Sequence, residues 1–133
     1  MLTGLIVDLF AGGGGASTGL AMALGRSPDI AIDRDDAALS LHRVNHPGTR
    51  HILGDVRAIS PREATQGLPV AILHASPECT HFSRAKGQGP RSRASRSLAW
   101  QVVRWAAKTR PLLITVENVE EFETWGPLDA CGR

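Results

Sequence analysis

The sequence predicts an α/β fold, a parallel sheet of about five strands flanked by helices, and three observations predict it. Short apolar runs recur at residues 3–9, 29–32, 70–74 and 112–116, with a further short strand expected at 50–53. Between several of them, apolar residues repeat at helical rather than alternating spacing. The first run opens directly into four consecutive glycines, the tight turn with which such folds often begin.

The bulk numbers bound the rest. A chain of 133 residues suffices for one domain with its own core, here taken as residues 1–133. A hydrophobic content of 42% with 21% charged residues argues against disorder. No apolar run approaches the roughly 20 residues needed to cross a bilayer, so no membrane partner is expected. The N-terminus lacks a basic region followed by an apolar core and a cleavage site, so no secretory signal is expected. Cys79 and Cys131 lie far apart with no metal-ligand spacing around them. That pattern points to a reducing, cytoplasmic setting with neither a disulfide framework nor a bound metal.

Taken in order, residues 3–9 form an apolar run around Asp8, as expected of a strand buried on both faces. After Gly12-Gly13-Gly14-Gly15, the residues Ala16, Leu20, Ala23 and Leu24 repeat at helical spacing up to a stop at Gly25. Strand, glycine turn and helix open a nucleotide-binding βαβ unit, where glycine lets backbone approach a ligand with no Cβ in the way. The second strand, residues 29–32, runs into Asp33. That acid follows the glycines by about twenty residues, the place of a group that grips a ribose hydroxyl pair. A helix then starts near Asp35 and Asp36, whose charges favour a helix N-terminus. Ala37, Leu41 and Val44 mark one apolar face of it, and His46-Pro47-Gly48 ends it. Residues 50–53 are the third strand, delivering Gly54-Asp55-Val56, so that Asp55 becomes a second acid at the same sheet edge. Residues 56–69, with Pro61, Gly67 and Pro69, form a helix or irregular connector. The fourth strand, 70–74, leads to Ala75-Ser76-Pro77-Glu78-Cys79-Thr80-His81-Phe82-Ser83. Leu98, Val102 and Trp105 then mark a helix from about residue 95 to residue 108. Pro111 precedes the fifth strand, 112–116, which ends at Glu117-Asn118-Val119.

The net charge is only +2, but it is unevenly spread. Between Glu78 and Glu117 there is no acidic residue, while Arg84, Lys86, Arg91, Arg93, Arg96, Arg104, Lys108 and Arg110 fall in that interval. A cationic run beginning beside Cys79 points to a polyanion partner. Cys79 and Glu117 both lie past carboxyl ends of expected strands, where open α/β sheets place their ligands. A thiolate can add to an electron-poor ring carbon while a carboxyl group hydrogen-bonds or protonates a ring nitrogen, which makes the addition feasible.

These residues resemble a known family. Asp8-Leu9-Phe10-Ala11-Gly12-Gly13-Gly14-Gly15 is similar to the methyl-donor motif of DNA (cytosine-5) methyltransferases. Gly54-Asp55-Val56, the Cys79 stretch with Phe82-Ser83, and Glu117-Asn118-Val119 resemble later motifs of that family in the same order. The resemblance covers nearly the whole chain and implies a Rossmann-like class I fold that uses S-adenosylmethionine. It assigns Asp8, Phe10, Ala11, Gly12, Gly13 and Gly14 to the donor site, with Val56 and Ser76. Asp33 would hold the ribose, Arg34 would neighbour the adenine, and Asp55 would read the adenine amino group.

The same resemblance implies that Cys79 attacks C6 of cytosine, with Glu117 on N3 and the exocyclic amine and Asn118 beside it. The target base must leave the DNA stack first. The basic loop resembles the family's mobile catalytic loop, so Ser83, Arg84, Lys86, Arg91, Arg93 and Arg96 would contact DNA. Two departures mark a divergent, phage-like subgroup: Glu78 stands where the family has Pro, and Thr80 where it has Gln. A carboxylate beside Cys79 raises the thiol pKa, an effect that His81 and the basic loop can offset. The third departure is length. The family continues with a Gln-x-Arg-x-Arg motif, further strands, a target-recognition region and a last helix, whereas the sequence stops at Arg133. The expectation is an amino-terminal portion or half of a split enzyme, with DNA and the complementary polypeptide as partners. Its fifth strand would then be an exposed edge. Two alternatives stay open: an RNA cytosine-5 methyltransferase, and a non-catalytic chain that binds donor or DNA without turnover. A part in restriction-modification, in a bacterium or a phage-infected host, would suit the resemblance.

Overall fold

The computed structural model describes residues 2–77, 93–124 and 126. Five strands, β1 (Leu5–Leu9), β2 (Ile30–Asp33), β3 (Arg50–Leu53), β4 (Val70–Ala75) and β5 (Leu113–Val116), form one sheet in the order β3-β2-β1-β4-β5. Every pairing is parallel. The helices are α1 (Gly15–Leu24), α2 (Asp36–Asn45), α3 (Pro61–Thr65) and α4 (Arg93–Thr109), with a 3-10 turn at Glu120–Thr124. The chain walks outward from β1 to β3, then returns to the other side of β1 with β4. The carboxyl ends of β1 and β4 therefore flank the point where strand order reverses, the place where such sheets bind ligands.

Local chemistry accounts for the elements. β1 and β4 are apolar enough to be buried on both faces: Ile6, Val7, Leu9, Ala71 and Leu73 have no exposed surface. α2 starts where Asp35 accepts hydrogen bonds from the Ala37 and Ala38 N–H groups. α3 starts with the Ser60 cap and Pro61 in its first turn. One core cluster joins Val7, Leu9, Ile30, Ile32 and Leu73 to Ala64 of α3 and to Val102 and Trp105 of α4. A second joins Ile6, Ala71 and Ile72 to Leu20 of α1. Right-handed crossovers thus carry α1 and α2 over one face of the sheet and α3 and α4 over the other.

The structure corrects the sequence reading at α2. Ala37, Leu41 and Val44 form its solvent face, with Leu41 56% and Val44 78% exposed. The buried face carries Leu39 and His42, with His46 just past the helix. Histidines that pair with other buried polar groups can occupy a core face as well as leucines can. β5 lies at the edge, as expected, and Leu112 (77%) and Leu113 (52%) stand open to solvent.

Candidate functional site

A cleft opens beside the carboxyl ends of β1, β2, β3 and β4. Phe10, Asp33, Arg34 and Gly54 line one part of it, and Asp55, Val56, Ser76 and Leu98 the rest. Seven of these eight are expected donor-site residues or lie in their motifs; Leu98, from α4, enters the sequence reading only as one of three residues at helical spacing. Phe10 holds φ at +58°, a conformation that bulky side chains rarely adopt and that marks strained functional sites.

Asp33 ties the glycine turn to the cleft wall. Its Oδ2 accepts from the Gly12 N–H at 2.8 Å, and its Oδ1 from the Asp35 N–H at 2.8 Å. The Gly12 position has φ of +52° and open space where a Cβ would stand. Asp55 is held by its neighbour: Arg57 donates to both carboxylate oxygens, and the Arg57 N–H donates to Oδ1 at 2.8 Å. These bonds keep the Asp55 carboxyl down at about 2. The segment after it is pinned from α4, where the Arg104 guanidinium donates to the carbonyls of Val56 (2.6 Å) and Ile59 (3.1 Å). Arg104 belonged to the basic interval read as facing a polyanion; its charge instead serves this internal clamp.

Asp8 does not line the cleft. It is fully buried beneath the glycine turn, where Ser17 Oγ donates to its Oδ2 at 2.6 Å and its Oδ1 has no partner among the described residues. Burial pushes its carboxyl up to about 7, against the hydrogen bond from Ser17, with Asp33 and Glu117 adding repulsion. Ser17 Oγ lies 2.9 Å from His42 Nε2, and His42 Nδ1 lies 2.8 Å from His51 Nε2. Burial lowers His42 to about 4, with His51 and His46 contributing. His46 lies 3.1 Å from Thr18 Oγ1 through Nε2 and 3.0 Å from Ser27 Oγ through Nδ1. The sequence reading takes His46 only as part of a helix end and makes nothing of His42 and His51; the spacing of His42 and His46, one helical turn apart, is the available signal.

Glu117 and Asn118 follow β5 and meet the end of β4. The Glu117 N–H donates to the Ala75 carbonyl at 3.0 Å, and Ser76 Oγ lies 3.5 Å from Glu117 Oε2. Asn118 Nδ2 reaches the Pro77 carbonyl at 3.4 Å. His74 supports them from the strand, 2.9 Å from Ser76 Oγ and 2.8 Å from Thr115 Oγ1, with burial lowering its pKa. Cys79, Ser83, Arg84, Lys86 and Arg91 lie outside the described residues. Arg93 and Arg96 fall at the start of α4. Among the described residues, no group of three or more His, Cys, Asp or Glu could hold a metal ion, and no helix is long and apolar enough to cross a membrane.

Comparison with known proteins places this arrangement. The family model of the C-5 cytosine-specific DNA methylase matches residues 5–125. The chain is 28% identical over 125 residues to the type II methyltransferase M.AquIA of Picosynechococcus sp., covering 90% of this chain and 50% of that protein. It is 31% identical over 115 residues to the type II methyltransferase M.DdeI of Desulfomicrobium norvegicum, covering 86% of this chain and 27% of that one. Among solved structures, a prophage-encoded protein from E. coli described as a DNA modification methyltransferase superposes with a TM-score of 0.74 at 28% identity. That match covers 88% of this chain and 32% of the other. S. pombe Dnmt2 methyltransferase superposes with a TM-score of 0.64 at 25% identity, covering 90% and 35%. The chain thus spans half the length of M.AquIA and smaller shares of the other three.

Proposed function

The chain belongs to the C-5 cytosine-specific DNA methylase family, and on that premise we propose that it carries the donor site and catalytic residues of a DNA cytosine-5 methyltransferase. The family and fold imply S-adenosylmethionine as the methyl donor. The residues of the cleft fit it. Asp33 keeps lone pairs for a ribose diol, the Phe10 ring and Val56 offer apolar walls to an adenine, and the space above Gly12 admits backbone contact. Asp55 would accept from the adenine amino group while Arg57 holds it in place, and Arg34 would lie beside the ring.

When bound, the donor supplies an electrophilic methyl group. The chain's own groups make cytosine nucleophilic. Cys79 thiolate adds to C6, and Glu117 hydrogen-bonds N3 and the exocyclic amine, so electron density gathers on C5. With the donor bound, methyl transfer to C5 would break the methyl–sulfonium bond and leave a neutral thioether; removal of the C5 proton by a base and elimination of the Cys79 thiolate would then restore the aromatic ring. The observation that carries this reading is the joining of Glu117 and Asn118 to Ser76 and Pro77, on the lip of the donor cleft and two residues before Cys79. DNA is the proposed partner. α4 opens on Arg93 and Arg96 with no acid in its first turn, an arrangement that a phosphate would favour. A polypeptide carrying the remaining strands and the target-recognition region is the second proposed partner.

The test is trapping on DNA containing 5-fluorocytosine, where the missing C5 proton blocks release of the thiol. The chain, alone and mixed with a complementing polypeptide, is expected to form a donor-dependent covalent adduct that Cys79→Ser abolishes. An adduct that survives the substitution would remove Cys79 as the nucleophile. No adduct in any mixture would favour binding without turnover.

A further inference from the structure

We propose that Asp8, Ser17, His42 and His51 form one continuous proton-carrying hydrogen-bond chain that positions the glycine turn of the donor site, making His42 and Asp8 positioning residues for donor binding. The inference rests on the donor-site reading above and concerns how that site is held.

The geometry runs without a gap from the end of β1 to β3: Asp8 to Ser17 at 2.6 Å, Ser17 to His42 at 2.9 Å, and His42 to His51 at 2.8 Å. The two inner members, Ser17 and His42, are fully buried, whereas His51 is half-exposed. The chain is also the floor of the turn. Gly14 holds φ at +100°, and a Cβ there would stand 3.1 Å from His42 Cδ2 and 3.1 Å from His46 Cδ2. The imidazole edges thus press directly against donor-loop backbone. Thr18 Oγ1 completes the support by donating to the Gly14 carbonyl at 2.9 Å.

A neutral imidazole has one N–H and one acceptor nitrogen, so His42 must donate on one side and accept on the other. Its lowered pKa of about 4 keeps it neutral through the physiological range. The chain therefore has two directions. With Asp8 protonated, Asp8 donates to Ser17, Ser17 to His42 Nε2, and His42 Nδ1–H to His51 Nε2. When Asp8 ionises, its proton passes to Ser17 Oγ and the Ser17 proton to His42 Nε2. The His42 Nδ1 proton then moves to His51 Nε2, and one proton leaves His51 Nδ1 for solvent. One proton is released and each inner member keeps the number it had, so a buried carboxyl can titrate without opening the core. The Asp8 carboxyl, raised to about 7, places that reversal at neutral pH.

The groups facing the chain are Asp33 from β2, Glu117 after β5, and His74, which pairs with Asp8 in the sheet register. Arg43 and His46 face His51, whose pKa is lowered by burial first and Arg43 second, with the Thr49 carbonyl opposing. None of these interrupts the path.

The experiment is a pH titration by NMR on the full chain. It follows the Asp8 carboxyl carbon, the ring nitrogens of His42 and His51, and the amides of Gly12, Gly13 and Gly14. The expected result is one shared midpoint near neutrality, with His42 changing from its Nδ1–H to its Nε2–H tautomer as pH rises. Asp8→Asn freezes the tautomer, and Ser17→Ala uncouples His42 from Asp8. A His42 tautomer that stays constant in the unsubstituted chain while Asp8 titrates overturns the proposal without any variant having to fold. Calorimetric binding of S-adenosylmethionine across the same pH range supplies the second arm. Ser17→Ala removes the hydrogen bonds to both Asp8 and His42 and is expected to weaken it by about tenfold or more. Asp8→Asn is expected to flatten its pH dependence. Donor binding with an unchanged pH profile in Asp8→Asn overturns the positioning role. A shared NMR midpoint with no donor binding at any pH upholds the chain and defeats the donor-site reading instead.

Discussion

Asp8 and His42 are two buried titratable groups whose effects on stability oppose each other. In the unfolded chain Asp8 ionises at 3.8, and in the folded protein only at about 7. Between those values the folded state holds more protons, so this group makes stability fall as pH rises, and the full cost stands above pH 7. His42 does the reverse. It takes a proton at 6.5 when unfolded but only at about 4 when folded, so its contribution is complete above 6.5 and lost as pH falls toward 4. Removing one group should expose the other. Asp8→Asn should lose stability on acidification from pH 7 to 4 more steeply than the unsubstituted chain, by roughly 4 kcal/mol over the interval. Urea unfolding at a series of pH values checks this, and parallel curves would mean that Asp8 is not held neutral. Of this pair, only Asp8 was legible in the sequence, as part of a motif, and its motif assignment did not foretell that it faces α1 rather than the cleft. His42 was illegible because helix faces are ranked by hydropathy, and Ala37, Leu41 and Val44 outrank a histidine that is buried through its partners.

At the scale of elements, α4 joins the core to the donor cleft. Leu98, Val102 and Trp105 recur at helical spacing and are buried, so its inner face was readable from the sequence. Arg104, next to Trp105, was not. A charged side chain in a basic interval looks solvent-facing until its acceptors are known, and these are carbonyls more than forty positions away in sequence. Arg104 holds the segment carrying Val56, one wall of the cleft, against the helix that supplies Leu98. Arg104→Met keeps much of the stem and its packing but leaves two carbonyls without their donor. It should destabilise the fold by about 1–3 kcal/mol and weaken S-adenosylmethionine binding at the same time. Urea unfolding and calorimetry measure the two effects. A loss of stability with donor affinity unchanged would show that the clamp serves the core alone.

The whole molecule is asymmetric. β1 and β4 are enclosed, whereas β5 offers Leu112, Leu113, Ile114 and Val116 to solvent, with Trp100 and Val103 of α4 exposed as well. The parallel sheet was readable from alternating strands and helices, and an exposed fifth strand was an expectation of the resemblance, whereas the strand order was not read, because alternation does not say which strand is central. Among the described residues β5 pairs only with β4, and an apolar sheet edge of this kind presents backbone N–H and carbonyl groups beside hydrophobic side chains, which favours pairing with another chain. The isolated chain is therefore expected to self-associate as its concentration rises. Ile114 is 43% exposed on this edge, so Ile114→Lys adds charge and hydration where a second chain would dock, with little core packing lost. It should move the chain toward monomer in sedimentation velocity while changing unfolding stability by no more than about 0.5 kcal/mol. If Ile114→Lys leaves the self-association unchanged, another surface drives it, and the exposed stripe of α2 around Leu41 and Val44 is the next to substitute.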